Sequence, residues 1–233
     1  MTHASLSAEF VDRLGARRDG HLHVCDSPLP SRTALLVIDM QNAFVDPAGA
    51  LGVPTAIGIV PAINRLADTL RRSGCVIAWV RTTFAPIGRS RWDGYFERIA
   101  PGNDAEALRA NFYPGAAGHA IWPALERESG DLIVDKDRFS AFVQGASVLE
   151  ELLRSRGIAN LIITGTLTNV CCESSMRDAM MRDFQCVLVS DACAARSDAE
   201  HLASLENAAQ YFGDVMKTKE VLIRVASGAQ SVA

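Results

Sequence analysis

Three reactive side chains follow apolar runs of the sequence, and their types fit nucleophilic catalysis. Asp39 lies in VIDMQNAFVDP, Lys136 in IVDKDRFSAF and Cys171 in TGTLTNVCCESSMRD. A free thiol is mostly protonated near neutral pH, so a cysteine nucleophile needs a base or a lowered pKa. Asp39 fits the base that passes the thiol proton to a leaving nitrogen. Lys136 fits the charge that holds this carboxylate and favours the thiolate.

Each of these side chains also has a purely structural interpretation. A cysteine in a buried turn is often inert, an aspartate after a strand often caps a turn, and Lys136 fits a surface charge. The coincidence of all three after apolar runs favours chemistry. A tetrahedral oxyanion would find its donors in the backbone N–H groups of the turn that precedes Cys171.

The elements that must position these groups alternate between strand and helix. Strands are predicted at 34–38, 75–80, 131–134, 160–164, 185–190 and 214–218, and helices at 58–73, 144–156, 171–183 and 197–212. The first five apolar runs are continuous, which predicts strands buried on both faces. This order predicts an α/β fold with a doubly wound, mostly parallel six-stranded sheet and helices on both faces.

Ligands of open parallel sheets bind beyond the carboxyl ends of the strands, where these three side chains fall. If the first, third and fourth strands are neighbours, Asp39, Lys136 and Cys171 converge. Cys171 also stands where a helix is predicted to begin, and a helix N-terminus lowers the pKa of a thiol.

The chain of 233 residues is predicted to form a single domain over 1–233. Residues 1–30 form an N-terminal extension that includes a short amphipathic helix. Residues 82–130 carry seven aromatic side chains without a sustained period. So long an insertion after a strand is typical of a segment that covers an active site or builds an interface.

Composition excludes several classes of protein. The net charge of −4 and the small arginine groups argue against nucleic-acid binding. No apolar run approaches the roughly 18 to 20 residues that cross a bilayer, and no signal peptide is recognisable. We therefore expect a cytoplasmic protein whose six scattered cysteines are reduced thiols. Phosphate-loop, G-x-S-x-G and dinucleotide-binding motifs are also missing, so no cofactor is expected.

The blocks LLVIDMQNAFVDP, IVDKDRFSAF and ITGTLTNVCCESSMRDAMMRDFQCVLVSDAC resemble, in order and spacing, the three signature blocks of the isochorismatase-like cysteine hydrolases. The resemblance covers about residues 32–218. It implies an Asp39–Lys136–Cys171 triad that acts through a thioester on a doubly wound parallel sheet. It also implies a cis peptide between Thr166 and Leu167, with an oxyanion hole formed by the amides of Leu167 and Cys171.

The resemblance also separates the two adjacent cysteines. Its nucleophile position, the cysteine that follows Thr-x-x, is Cys171, and the next position is usually aliphatic. Cys172 is then a small apolar filler. On a helix the two side chains diverge by about 100°, so both cannot face one substrate.

Departures from two related groups narrow the predicted function. Isochorismatases proper, which cleave a vinyl ether, resemble this fold but lack the cysteine. Nicotinamidases resemble it and add a metal site with an Asp-x-His motif and a second histidine. Between Asp39 and Lys136 this chain has one histidine, His119, and no Asp-x-His. We therefore expect no catalytic metal.

The remaining group comprises metal-independent amidohydrolases that cleave a C–N bond of a small ureido, carbamoyl or amide substrate, and the third block is especially similar to that of ureidoacrylate amidohydrolases. Two alternatives stay open: an isochorismatase-type ether hydrolase, and a non-catalytic family member that binds a small molecule.

The resemblance also implies a homo-oligomer, either dimer or tetramer. Substrate-binding candidates, which alternatively pack in the core or an interface, are Gln41, Asn42, Phe44, Arg81, Phe84, Arg89, Arg91, Trp92 and Tyr95.

Overall fold

The structure of the chain is a computed structural model. It describes residues 6–25, 28–49, 51–84, 92–100 and 102–230.

Six strands form one sheet in which every neighbouring pair is parallel, in the order β3-β2-β1-β4-β5-β6. The strands are β1 Thr33–Ile38, β2 Val76–Thr82, β3 Leu132–Lys136, β4 Asn160–Thr166, β5 Gln185–Ala194 and β6 Asp214–Met216. Each contains or overlaps a predicted strand, and the predicted α/β fold with a doubly wound parallel sheet is confirmed.

Helices cover both faces of this sheet. They are α1 Ala8–Arg17, α2 Asn42–Val45, α3 Ala56–Arg72, α4 Asn103–Asn111, α5 Leu149–Arg154, α6 Glu173–Met180, α7 Asp198–Asn207 and α8 Thr218–Gln230. Residues of α3 and α8 belong to one core, whereas residues of α5, α6 and α7 belong to the other. None of the helices in the described parts of the chain is both long and apolar enough to cross a membrane.

The central strand β1 shows why a continuous apolar run is required. Side chains of a strand alternate between its two faces. Leu35 and Val37 accordingly pack in the core with α3, whereas Leu36 and Ile38 pack in the opposite core. All four are at most 1% exposed, as predicted for a strand buried on both faces.

The expectation of burial on both faces is wrong for β3. This strand lies at the edge of the sheet. Its Ile133 is 47% exposed and Asp135 is also exposed, whereas Val134 and Lys136 are buried. An edge strand has a neighbouring strand on one side only. The helices that cover the sheet leave one face of β3 exposed to solvent.

The sheet order also corrects one assumption about the reactive side chains. Strands β1 and β4 are neighbours, as the convergence of Asp39 and Cys171 requires. Strand β3 is separated from β1 by β2, so Lys136 does not lie on a strand beside either of the others. Its long side chain has to span the width of β2.

Gly165 allows an unusually close approach of β4 to β1 at the end of the sheet that carries these side chains. Its φ is 113°, and a Cβ atom built on it would lie 2.0 Å from the carbonyl oxygen of Ile38. Ile38 directly precedes Asp39. Any side chain at position 165 therefore displaces the backbone that orients Asp39.

Gly165→Ala is expected to lower the free energy of unfolding by about 3 kcal/mol or more, because it adds a backbone clash to an unfavourable φ. Gly157→Ala is the matched control, since Gly157 has a φ of 69° but no atom within 4 Å of the added Cβ. This control should cost only about 1 kcal/mol. Urea denaturation measures both values, and equal losses would contradict the role given to the close approach.

Candidate active site

The three predicted reactive side chains lie together at the carboxyl ends of their strands. Asp39 follows β1, Lys136 is the last residue of β3, and Cys171 lies in the π-helical turn Thr168–Cys172 between β4 and α6. Asp39 is 0%, Lys136 1% and Cys171 6% exposed. Three buried polar groups at one place require mutual hydrogen bonds, since an unpaired buried charge is strongly destabilising.

The Lys136 ammonium group connects these side chains. Its Nζ donates to Asp39 Oδ2 at 2.9 Å and lies 3.5 Å from Cys171 Sγ. The same nitrogen donates to the backbone carbonyl of Arg138 at 3.1 Å. The ammonium is thereby held between the carboxylate and the thiol.

Thr82 completes the bridge across β2. Lys136 Nζ donates to Thr82 Oγ1 at 2.8 Å, and this hydroxyl donates to Asp39 Oδ1 at 3.0 Å. Convergence therefore occurs although β3 and β1 are not neighbours. Thr82 was not among the predicted site residues. The sequence feature that could have identified Thr82 is the alternation of side chains along β2, which places it on the same face as Val80 and opposite to Arg81.

The backbone at Asp39 is specialised. Its φ is 54°, and its N–H donates to the carbonyl oxygen of Val80 in β2 at 2.8 Å. Among residues with a Cβ atom, aspartate and asparagine adopt this left-handed conformation most readily. The chain therefore turns at Asp39 without a glycine and keeps a carboxylate at the turn.

The electrostatics of the site favour a protonated thiol and a charged lysine before substrate binds. Burial raises the pKa of the Cys171 thiol, the negative charge of Asp39 raises it further, and Lys136 opposes both. Burial alone would lower the pKa of Lys136, but the negative charge of Asp39 and the contacts with Asp39 and Cys171 outweigh burial and raise it. The expected lowering of the Cys171 pKa is therefore wrong, because a sequence does not reveal how completely the thiol is desolvated.

Cys172 occupies a different environment. It is 0% exposed, and its thiol lies 3.7 Å from the carbonyl oxygen of Thr164, to which it donates. Burial and the neighbouring Cys193 raise its pKa. It packs in the core with Met176 and Ile163, as expected of a small apolar filler.

The turn before Cys171 has the backbone features that the resemblance implied. The peptide bond between Thr166 and Leu167 is cis. Leu167 directly precedes the turn, and its carbonyl oxygen accepts from the N–H groups of Val170 at 3.1 Å and Cys172 at 3.2 Å. The assignment of the Leu167 and Cys171 amides to an oxyanion hole stays a prediction.

Gln41 has a structural function instead of the predicted substrate contact. Its Nε2 donates to the carbonyl oxygens of Thr82 and His119 at 3.0 and 2.9 Å, and its Oε1 accepts from Thr82 N–H at 2.8 Å. Both amide hydrogens are thus used by the backbone, and the residue is 0% exposed. Gln41 braces the loop after β1 against the end of β2.

Arg81 is also placed away from the three reactive side chains. It is opposite Asp135 in the β2–β3 register, and its Nε donates to that carboxylate at 2.7 Å. Because strand residues alternate, Arg81 and Asp135 share the face opposite to Thr82 and Lys136. The prediction that Arg81 holds substrate is therefore not supported by its position.

Asn42 is better placed than Gln41 for a polar contact. Its Nδ2 donates to the carbonyl oxygen of Ala117 at 2.9 Å, whereas its Oδ1 is buried and has no partner in the described part of the chain. Asn169, in the turn of Cys171, likewise has a buried Oδ1 without a partner there. Nothing in the sequence marked Asn169, which lies two residues before the nucleophile position.

Two of the predicted aromatic candidates, Phe84 and Phe44, pack against Phe112. Phe84 is 3% exposed and packs edge to face against Phe96 at 5.1 Å and Phe112 at 6.2 Å, so it belongs to a core. Phe44, which is partly buried, contacts the ring of Phe112 at 4.8 Å. The prediction that Phe84 contacts substrate is therefore not supported. Arg89 and Arg91 lie outside the described residues.

Trp92 and Tyr95 form a wall together with a residue that the sequence did not single out. Their rings stack at 4.4 Å, and Phe139 meets both edge to face at 4.8 and 5.2 Å. The guanidinium of Arg138 lies 5.1 Å from the centre of the Trp92 ring. Arg138 and Phe139 lie two and three residues after Lys136, which connects the wall to the lysine. We call Trp92, Tyr95, Phe139 and Arg138 the aromatic wall.

His119 has a structural environment at the end of β2. It is 5% exposed, and its Nε2 lies 2.7 Å from Thr83 Oγ1. Burial lowers its pKa, and so does the charge of Arg81. Within the described residues, no three His, Cys, Asp or Glu side chains are grouped in a way that could hold a metal ion.

Two curated proteins with similar sequences are named as amidohydrolases, and a family model also matches the chain. A model of the isochorismatase domain matches residues 33–220. The ureidoacrylate amidohydrolase RutB of Methylobacterium radiotolerans is 32% identical, over 79% of this chain and 76% of its own. RutB of Rhizobium rhizogenes is 30% identical, over 88% of this chain and 87% of its own.

Solved structures show the same relationship. A cysteine hydrolase from Pseudomonas syringae pv. phaseolicola matches with a TM-score of 0.78 and 32% identity, over 86% of this chain and 95% of that one. The N-carbamoylsarcosine amidase of Thermoplasma acidophilum matches with a TM-score of 0.67 and 26% identity, over 80% and 96% of the two chains. Since the domain model matches well over half of the residues, this chain belongs to the isochorismatase family of hydrolases.

Proposed function

We propose that this protein is a metal-independent cysteine amidohydrolase that cleaves a C–N bond of a small ureido, carbamoyl or amide substrate through a thioester. The observation that carries the proposal is the position of Lys136 Nζ, 2.9 Å from the Asp39 carboxylate and 3.5 Å from the Cys171 sulfur. A protein that only binds a ligand has no need of this combination of base, cation and thiol.

The acylation half of the reaction begins from a protonated thiol, because burial and Asp39 raise the pKa of Cys171. As the sulfur attacks the carbonyl carbon, Asp39 accepts the thiol proton. The C–N bond then breaks, the nitrogen leaves with the proton from Asp39, and the carbonyl carbon remains bonded to sulfur. Lys136 stays charged throughout, because its pKa is raised.

The negative charge that develops on the carbonyl oxygen requires fixed donors. We assign this function to the backbone N–H groups of Leu167 and Cys171, at the two sides of the turn between β4 and α6. Preorganised donors of this kind each contribute about 10²- to 10³-fold to the rate.

Deacylation reverses the proton path. Water attacks the thioester carbon and passes a proton to Asp39, the C–S bond breaks, and the sulfur regains a proton from Asp39. The products are an amine or ammonia and an acid, which for a ureido substrate is a carbamic acid. Asp39 and Cys171 return to their starting protonation states.

The substrate class rests on the relatives and on the aromatic wall. Two relatives are named for ureidoacrylate and a third for N-carbamoylsarcosine, compounds that share a carbamoyl group on nitrogen. Trp92 and Tyr95 present stacked rings beside the Arg138 guanidinium. Such a surface suits a planar or carboxylate-bearing substrate. We retain Asn42, Phe44, Trp92 and Tyr95 as substrate-binding residues.

We further propose that the whole chain acts as one catalytic domain, in a cytoplasmic homo-oligomer. Cys75, Cys171, Cys172, Cys186 and Cys193 are buried free thiols, which supports a reducing compartment. The proposal of a homo-oligomer rests on the resemblance to the family. Light scattering of the purified protein tests the oligomer, and a monomeric mass would contradict it.

A panel of small amides, ureas and carbamoyl compounds, scored by ammonia release, tests the proposed function. We expect turnover of at least one ureido or carbamoyl compound by the wild-type protein and none by Cys171→Ala. Hydrolysis of an enol ether with no amide turned over would instead support the ether-hydrolase alternative. No turnover and no acyl adduct with any compound would favour the non-catalytic binder.

Metal removal is expected to leave the activity unchanged. The metal-binding Asp-x-His pattern of the nicotinamidases is missing between Asp39 and Lys136, where those relatives carry it, and the proposed steps use only Asp39, Lys136 and Cys171. Ammonia release is measured before and after extended dialysis against a chelator. A loss of activity that zinc or iron restores would contradict the proposed mechanism.

A further inference from the structure

Helix α7 is bonded to both ends of the turn that carries Cys171. The turn begins at Thr168, and Glu173 follows its last residue. Ser204 Oγ of α7 lies 3.1 Å from the Thr168 carbonyl oxygen and 2.6 Å from Glu173 Oε2. Nδ1 of His201, also in α7, lies 2.9 Å from Thr168 Oγ1.

These contacts form a buried polar network. Thr168 is 0%, Ser204 1%, His201 4% and Glu173 8% exposed. His201 and Ser204 are three residues apart and therefore lie on one face of the helix. The other carboxylate oxygen of Glu173 accepts from Arg177 Nε at 2.9 Å, which fixes the acid from its outer side.

The Ser204 hydroxyl separates two oxygen atoms that would otherwise repel each other. It has one hydrogen, which the Glu173 carboxylate and the Thr168 carbonyl share. Without the hydroxyl, a buried carboxylate oxygen and a carbonyl oxygen lose a common donor. A buried acceptor left without a donor is destabilising, so the turn is expected to shift to relieve it.

We propose that Ser204 and His201 are positioning residues, which hold the Thr168–Cys172 turn so that the Cys171 sulfur faces Asp39 and the turn amides face the carbonyl oxygen. The inference rests on the proposed function and deepens it. The two side chains touch the turn and not the reacting atoms. Their effect should therefore appear in the rate of Cys171 acylation and not in substrate affinity.

The test compares Ser204→Thr with Ser204→Val. Threonine and valine have nearly the same shape, and both are branched at Cβ, so the pair differs chiefly in the hydroxyl group. The probe is 4-nitrophenyl acetate, an activated ester whose acyl transfer to Cys171 releases nitrophenolate. We expect acylation of the valine variant to be slower than that of the threonine variant by about 10- to 100-fold, the effect of a misplacement of about 1 Å.

A second pair and a control separate positioning from general stability. His201→Asn keeps a polar atom at the position of Nδ1, whereas His201→Leu replaces it with carbon. Cys171 should therefore be acylated faster in the asparagine variant than in the leucine variant. Ser190→Ala removes another buried serine hydroxyl, which donates to the carbonyl oxygen of Met216 at 3.3 Å. This control should lower the melting temperature without slowing acylation.

The outcomes distinguish this inference from the proposed function. With any amide that is turned over, the valine variant should lose kcat while KM stays close to that of the threonine variant. Equal acylation rates within both pairs, or a loss in Ser190→Ala as large as in Ser204→Val, would overturn the positioning role. If one pair does not fold, the other decides. If the ester acylates Cys171 but no amide is turned over, the proposed amidohydrolase function is wrong and the positioning role of Ser204 and His201 still stands. If the ester does not acylate the wild-type protein, both proposals are overturned.

Discussion

Cys171→Ala is expected to lower hydrolysis by a factor on the order of 10⁶, as the removal of a nucleophile does in other hydrolases. Cys172→Ala is the matched control, because it deletes a buried sulfur from the next residue. Cys171 lies 3.5 Å from Lys136 Nζ, whereas the Cys172 thiol donates to the carbonyl oxygen of Thr164 in the core. The control should therefore lose stability and keep most of its activity.

Ammonia release and circular dichroism on both variants check this prediction. Substantial activity in folded Cys171→Ala would contradict the assignment of the nucleophile. Equal losses in the two folded variants would show that the sulfur at position 171 has no special function.

Asp39→Asn is expected to lower hydrolysis by about 10²- to 10⁴-fold, the usual loss when acid–base catalysis is removed. Asparagine tolerates the φ of 54° at this position and keeps the shape of the side chain, so the backbone turn should survive. The variant lacks the carboxylate that accepts the thiol proton and pairs with Lys136.

Asp135→Asn is the matched control for this change. Asp135 also lies at the carboxyl end of β3, but it pairs with Arg81 on the face opposite to Lys136. Its neutralisation should leave the rate nearly unchanged. Steady-state kinetics decide, and a near-normal rate in Asp39→Asn or a comparable loss in Asp135→Asn would remove Asp39 from the mechanism.

The sequence predicted the positions of the strands because β1, β2, β4 and β5 are inner strands with continuous apolar runs. It was misleading at β3, where Ile133 belongs to an apolar run but is 47% exposed. Whether a strand lies at the centre or the edge depends on sheet order, which local patterns do not encode. The same limit applied to Lys136, whose strand is not a neighbour of the strand that ends before Asp39.

The structure brings together the three central residues of the predicted site and agrees less well with the predictions made around them. Asp39, Lys136 and Cys171 converge because they follow or end parallel strands. The contacts of Gln41 and Arg81 do not support a substrate-binding role, because residue type does not tell whether a polar group faces a substrate, the backbone or the other side of the sheet.

Two further features depend on burial and contacts that only the fold defines. The pKa of Cys171 is raised because the thiol is desolvated beside Asp39, and its helix-terminal position alone suggested the opposite. Thr82 joins the site through contacts that span β2.

The measurement that tests the central claim most directly is mass spectrometry of the protein quenched during turnover of a ureido or carbamoyl substrate. The mechanism predicts an added mass equal to the acyl or carbamoyl group on the peptide that contains Cys171 and Cys172, with fragmentation placing it on Cys171. The adduct should be missing from Cys171→Ala and present in Cys172→Ala. Steady turnover without any adduct on Cys171, or an adduct on Cys172, would contradict the thioester mechanism.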